Sequence, residues 1–300
     1  MIELRNGEAQ LGLLPALGGS VASWRLHGRD ILAPTIDPSL AAQRGAAIAA
    51  YPLVPYSNRI GNARFSFDGE TYCLNPNIGG ENNAIHGNGW EREWSVAQHD
   101  SERAIFTLDH DPGKGDDPAQ WPFAYRAVIS YILERDRLRV EILLANRDTR
   151  PQPVGLGFHP FFARTEEMTL RFSARGVWEN DASHLPKGLT PCTDDWDFSA
   201  GRPVRALSVD NCFAGWTDEA VLAAPDAGYR VRISADPVFS HLVVFTAPEK
   251  PFVAVEAVTN MNDAINHPEI LERGLHLLAP GERLSGVVCY DVIEPRGQTR

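Results

Sequence analysis

Glu256 stands in the middle of an apolar run, Phe252-Val253-Ala254-Val255-Glu256-Ala257-Val258. A carboxylate there is costly unless it is paired, hydrogen-bonded or turned toward a cavity. The solvated face of an edge strand is the competing account, but Phe252 and Ala254 share the face of Glu256 and weaken it. His159 lies in Gly155-Leu156-Gly157-Phe158-His159-Pro160-Phe161-Phe162. A core histidine with one hydrogen bond would also fit that setting. Glycines at 155 and 157 imply close approach of the backbone to something, which favours a site. His86, in Ala84-Ile85-His86-Gly87-Asn88-Gly89-Trp90, is equally compatible with a turn. The remaining histidines (27, 99, 110, 184, 241, 267 and 276) have no comparable context and read as surface or structural.

Two histidines and a carboxylate can bind a metal, but His86 is followed at the second position by Asn88 rather than an acid. Neither HExxH nor HxH occurs. Glycoside hydrolysis requires two opposed carboxyls. Asp210 or Asp291 could partner Glu256, and nothing in the spacing selects either. Serine chemistry lacks its GxSxG elbow. A metal-free acid/base pair remains, with a glutamate as base and a histidine as acid for a small proton-transfer reaction near neutral pH.

These groups must be positioned by β-structure. Strands are expected at Ala9 to Leu14, Ser20 to Leu26, Ala104 to Leu108, Tyr125 to Leu133, Leu138 to Leu144, Thr169 to Phe172, Ala220 to Ala223, Tyr229 to Ser234, Leu242 to Phe245, Val253 to Val258 and Gly286 to Ile293. In the fifth of these Leu138, Val140, Ile142 and Leu144 share one face, with Arg139 and Glu141 opposite. Asp68-Gly69 between two short alternating runs predicts a hairpin. The Ala-rich run 41–50 fits a short helix or a buried crossing segment. Residues 109–122 read as a surface loop and 179–205 as a long irregular excursion. Helical periodicity is weak, and no linker divides the chain. The expectation is a single all-β domain over 1–300, of antiparallel strands with few short helices.

The segment Tyr51 to Trp94 collects Asn58, Arg59, His86 and Trp90 around that hairpin, too polar and turn-rich to be core. Such a set suits a polar small molecule with an apolar face, as a sugar is. A net charge of −11 argues against nucleic acid or an anionic membrane surface as partner, and against heavily phosphorylated ligands. There is no secretory signal pattern at the N-terminus and no apolar run long enough to span a membrane. Four widely spaced cysteines without a CxxC pair suit reduced thiols. Cytoplasmic location is the expectation.

Four segments together resemble the aldose 1-epimerases (mutarotases) of the galactose mutarotase-like superfamily: LVPYSNRIGNARFSFDG (53–69), AIHGNGW (84–90), GFHPFF (157–162) and VAVEAVTNMNDAIN (253–266). The resemblance covers nearly the whole chain and implies an antiparallel β supersandwich. It implies His159 as general acid on the sugar ring oxygen and Glu256 as general base on the anomeric hydroxyl. Arg59 and His86 would hold sugar hydroxyls and help polarise the ring oxygen, and Asp210 would bind ring hydroxyls. Asn58, beside Arg59, is expected to support it from behind, and Trp90 to offer an apolar face. The implied partner is a monosaccharide, and the implied reaction needs no cofactor, since only proton positions and one C–O bond change.

The chain departs from the galactose-specific pattern. It has Gly157-Phe158-His159-Pro160-Phe161-Phe162 where Asn-His-X-X-Phe-Asn is common, and Ala257 where proline often follows the base. These changes bear on which sugar is bound, not on the proton chemistry. A hexose 6-phosphate enzyme of the same fold would need further cations near the pocket, for which Arg92 and Arg64 are the candidates. A silent sugar-binding module would not need an acid/base pair.

Overall fold

The computed structural model describes residues 1–35, 48–217 and 219–294. Two antiparallel sheets account for most of it. One has eleven strands and runs from the N-terminal strands Ile2–Asn6, Ala9–Leu14 and Ser20–Leu26, with the short Arg29–Asp30 pairing the last of these, through Ala50–Leu53, Gly157–Ala163, Phe252–Val258, His241–Thr246 and Val209–Ala214 to Gly176–Asn180 and Pro186–Pro191. The other has nine, with Arg137–Asn146 and Arg283–Ile293 near its centre. Helical structure among the described residues is limited to three-residue 3-10 turns. The antiparallel supersandwich expected from the sequence is what the chain adopts.

The nine-stranded sheet shows ordinary alternation. Leu138, Val140, Ile142 and Leu144 are buried, whereas Arg139 and Glu141 are partly exposed, and the strand pairs Tyr125–Leu133 residue for residue. The centre of the eleven-stranded sheet is different, because both of its faces are covered. In Gly157–Ala163, Phe158 and Phe162 point into the core between the sheets, against Tyr131 and Tyr290. His159 and Phe161 point the other way. In Phe252–Val258, Val253, Val255 and Ala257 join that central core, while Ala254 and Val258 belong to a second cluster on the opposite face with Tyr51, Val243, Cys212 and Trp178. This second face forms the floor of a cavity.

The hairpin at Asp68-Gly69 forms as expected, both residues having positive φ, 51° and 79°. The expected excursion over 179–205 is only partly irregular. It contains most of a strand pair, Gly176–Asn180 with Pro186–Pro191, whose polar, proline-bearing composition hides an edge hairpin. Gly157–Ala163 is a strand that the composition does not announce, since it has apolar residues on both faces and a proline within it. In the expected 109–122 loop, Trp121 is fully buried and packs on Tyr56, Phe65 and Phe123. The Ala-rich run 41–50 lies outside the described residues up to 47, and Ala50 opens a strand.

Candidate active site

Strand register places the chemistry. His159 is the cross-strand partner of Tyr51. Gly157 faces Val258 and Phe161 faces Ala254, so His159 and Glu256 stand side by side between them. Glu256 in turn pairs Val243, which pairs Cys212, which pairs Trp178. One rung of the sheet therefore reads Tyr51, His159, Glu256, Val243, Cys212, Trp178. The next rung on the same face reads Phe161, Ala254, Phe245, Asp210.

A cavity of about 670 Å³ lies over these rungs, within the range that holds small molecules. Its floor includes Tyr51, His159, Phe161, Val243, Phe245, Glu256 and Asp210; its opposite wall includes Asn58, Arg59, Asn77, His86 and Trp90. All seven residues singled out in the sequence thus line one cavity. Asn58 does so directly, not only from behind Arg59.

His159 Nε2 is 3.2 Å from Glu256 Oε1. Both side chains are nearly inaccessible, and among the described residues His159 Nδ1 and Glu256 Oε2 find no hydrogen-bond partner. Burial holds the imidazole down to about 3. Burial, and then the charge of Asp210, pushes the Glu256 carboxyl well above the ordinary glutamate range, with Arg59 opposing. Both directions favour the neutral imidazole and the neutral carboxylic acid. Tyr51, tilted against His159 with ring centroids 4.8 Å apart, is kept protonated by burial and by Glu256.

The opposite wall is rigid for local reasons. The backbone N–H of Asn58 donates to His86 Nδ1 at 3.1 Å, and the His86 N–H donates to Asn58 O at 2.9 Å. Asn58 Oδ1 accepts the Arg59 N–H at 2.8 Å. Accepting at Nδ1 leaves neutral His86 with its proton on Nε2, a donor toward a ligand; burial, His159 and Arg59 keep its pKa well below the ordinary histidine value. His86 has φ 62°, a left-handed conformation uncommon for histidine. Gly87 after it is obligatory, because a Cβ there would stand 2.1 Å from Val54 O. Trp90 spends its indole N–H on Gly87 O and Ile85 O and offers the cavity ring surface. Asn88 holds this loop from behind, accepting from Tyr125 Oη at 2.6 Å and contacting His110.

Arg59 is gripped by Glu81, which the sequence gave no reason to choose. Nε and Nη2 donate to its carboxylate at 2.8 and 2.9 Å, and Nη1 lies 3.8 Å from Asp210 Oδ2. Burial works against the arginine charge, but Glu81 and Asp210 hold its pKa above the ordinary value. The close backbone approach implied by the glycines of the histidine strand is to protein. A Cβ on Gly157 would come within 2.8 Å of both Leu53 and Val258, and one on Gly155 would strike Asn260.

Other sequence candidates lie elsewhere. Asp291, a possible partner for Glu256 in glycoside hydrolysis, is paired with Arg137 and Arg232 on the nine-stranded sheet. Arg92 is turned onto Asp116, Gln120 and His110, and Arg64 does not line the cavity.

A family model described as "Aldose 1-epimerase" matches residues 1–291. The uncharacterized protein YphB of Escherichia coli is 26% identical over 83% of this chain and 85% of its own length. An aldose 1-epimerase of Escherichia coli is 28% identical over 54% of this chain and 47% of that one, so the match spans about half of its length. The crystal structure of a galactose mutarotase-like protein from Clostridium acetobutylicum superposes with a TM-score of 0.86 at 19% identity, over 98% of this chain and 95% of that one. Likeness at that identity speaks to the fold alone.

Proposed function

Because the chain belongs to the aldose 1-epimerase family, we propose that it interconverts the α and β anomers of a free, uncharged aldose. The observation that carries this reading is the His159–Glu256 pair, 3.2 Å apart on the floor of a cavity faced by hydrogen-bonding groups. In the cyclic sugar, Glu256 takes the proton of the C1 hydroxyl and His159 protonates the ring oxygen. The C1–O5 bond breaks, leaving an aldehyde and a C5 hydroxyl. The C1–C2 bond rotates, and the reverse transfers close the ring on its other face.

The proton inventory suits this cycle. The pair begins as carboxylate and imidazolium and ends as carboxylic acid and imidazole. Burial favours the second form, whereas Arg59 favours the first. Those opposing preferences bring the two forms closer in free energy, as reversible chemistry requires. His86 Nε2–H, Arg59 and Asp210 hold hydroxyls, and Trp90 covers an apolar face of the ring.

Arg59 is the single cation among the described residues that line the cavity, and Glu81 and Asp210 already engage it. That supports a neutral sugar over a hexose 6-phosphate, whose dianion would face Asp210 and Glu81 without a free cation. The pair itself argues against a silent binding module, which gains nothing from two buried titratable groups.

Polarimetry or NMR exchange across glucose, galactose, arabinose, xylose and glucose 6-phosphate tests the reading. Glu256→Gln is expected to lower the rate by roughly 10²–10⁴ with the fold intact. Mutarotation by that variant at a near-wild-type rate would overturn it.

A further inference from the structure

We propose that His184 is a positioning residue for sugar recognition, setting the Asp210 carboxylate for a hydroxyl remote from the anomeric carbon; this rests on the reading of the cavity as a sugar site. His184 lies at the tip of the hairpin formed by Gly176–Asn180 and Pro186–Pro191, and its own ring does not line the cavity. Its Nδ1 stands 3.2 Å from Asp210 Oδ2. Arg59 Nη1 approaches the same oxygen at 3.8 Å. Both nitrogens therefore stand close to Oδ2 as charge contacts, neither of them in hydrogen-bond geometry. Among the described residues Oδ1 has no protein partner, and the Asp210 side chain borders the cavity.

The tip is built to deliver that contact. Asp181 Oδ1 accepts the N–H groups of Ser183 and Leu185 at 2.7 and 3.1 Å. His184 adopts φ 59°, a conformation that histidine rarely takes and that surroundings must enforce. The surroundings do so from two sides. Asn83 Nδ2 donates to Ser183 O at 3.1 Å, and Asn262 Nδ2 donates to His184 O at 3.2 Å. Asn83 also reaches Glu81, the anchor of Arg59, and Asn180 donates to the Asp210 carbonyl at 2.7 Å. Asp210 lies two strands from Glu256, roughly 10 Å across the sheet. A carboxylate there acts on the far side of a sugar whose C1 is at Glu256. It contributes equally to ground and transition states and so acts on KM.

The test combines kinetics with direct binding. Kd for the preferred aldose is read from cavity tryptophan fluorescence or ligand NMR, alongside polarimetric KM and kcat. His184→Phe removes the polar contact and keeps a ring; KM and Kd are expected to rise about twofold to fivefold, the loss of one partly exposed contact to a carboxylate, with kcat within about twofold. His184→Asn places an amide nitrogen near the position of Nδ1 and is expected to recover most of the affinity. In an Asp210→Asn background, His184→Phe should add little, since its partner charge is gone. Unchanged Kd and KM in His184→Phe, or an equal penalty with and without the Asp210 carboxylate, overturns the proposal while leaving the reaction intact. A wild-type protein that binds an aldose through His184 and Asp210 without turning it over removes the epimerase reading and keeps this one. A wild type that neither binds nor converts any aldose removes both. Thermal melts identify a variant that fails to fold, in which case His184→Gln, which moves the donor outward, supplies the loss-of-contact arm.

Discussion

The floor and the facing wall of the cavity handle polar groups in opposite ways. On the wall, His86 and Asn58 exchange backbone and ring hydrogen bonds, Arg59 is held by two bonds from Glu81, and Trp90 has its N–H satisfied. On the floor, His159 Nδ1 and Glu256 Oε2 are buried without partners among the described residues. The wall is made of loops locked by their own hydrogen bonds; the floor is made of sheet and leaves buried polar atoms unmet among the described residues. A loop must be locked by its own hydrogen bonds if it is to present donors in fixed directions. Strands paired on both sides are already rigid, so their side chains can carry unmet hydrogen-bonding capacity for a substrate to meet.

The sharpest way to break this contrast is to replace one group on each side. His159→Phe should cost roughly 10²–10⁴ in mutarotation rate. The melting temperature should hold or rise, because an unsatisfied buried nitrogen is exchanged for a ring among Tyr51 and Phe161. Loss of several degrees in a thermal melt would put His159 in the same class as the wall. Glu81→Ala should do the reverse. It leaves the Arg59 guanidinium buried without its main partner and is expected to destabilise the fold by about 1–3 kcal/mol. KM should rise more than kcat falls, as read from denaturant melts and steady-state kinetics.

The smallest expected effect is on pH dependence. His86, His159 and His241 are all held below the ordinary histidine value by burial, His159 to about 3 and His241 to about 4. A depressed folded-state pKa means that the unfolded chain binds the proton first. Their contribution is thus fully present above about 6.5 and is lost as pH falls toward 3. Melting temperature measured from pH 7 downward should decline across that window. His241→Gln should flatten the decline without altering turnover, since His241 faces Thr259 and Ser240 rather than the cavity. Glu256, whose pKa burial raises, acts with the opposite sign and offsets His159, so a stability that stays level to pH 4 would count against neutral, buried His86 and His241.

Much of the fold was legible because one face of many strands meets solvent. Leu138 to Leu144 alternates visibly, and Asp68-Gly69 marks its turn. Gly157–Ala163 was not legible as a strand, since it is buried on both faces and carries Pro160, so it shows no period of two. At the site, Glu256 stood out because a charge in an apolar run has few innocent explanations. Glu81 did not, being one acid in a polar loop of Asn, Gly and Glu. Its importance comes only from a contact with Arg59 in a neighbouring loop. His184 reads as a surface or structural histidine in an irregular stretch until the hairpin tip is seen to bring it against Asp210.

The amino-acid sequence by itself determined the kinds of group available: a carboxylate in an apolar run, histidines framed by glycine and proline, and a polar, turn-rich stretch without phosphate-sized excess of charge. Those follow from composition and local pattern, which are properties of single segments. Tertiary structure decided that His159 and Glu256 share a rung, that His86 carries its proton on Nε2, that Arg59 is already neutralised, and that His184 reaches Asp210. Each of these depends on the register of strands and on loops from distant parts of the chain. Register is set by packing of both sheet faces at once, so no single segment encodes it.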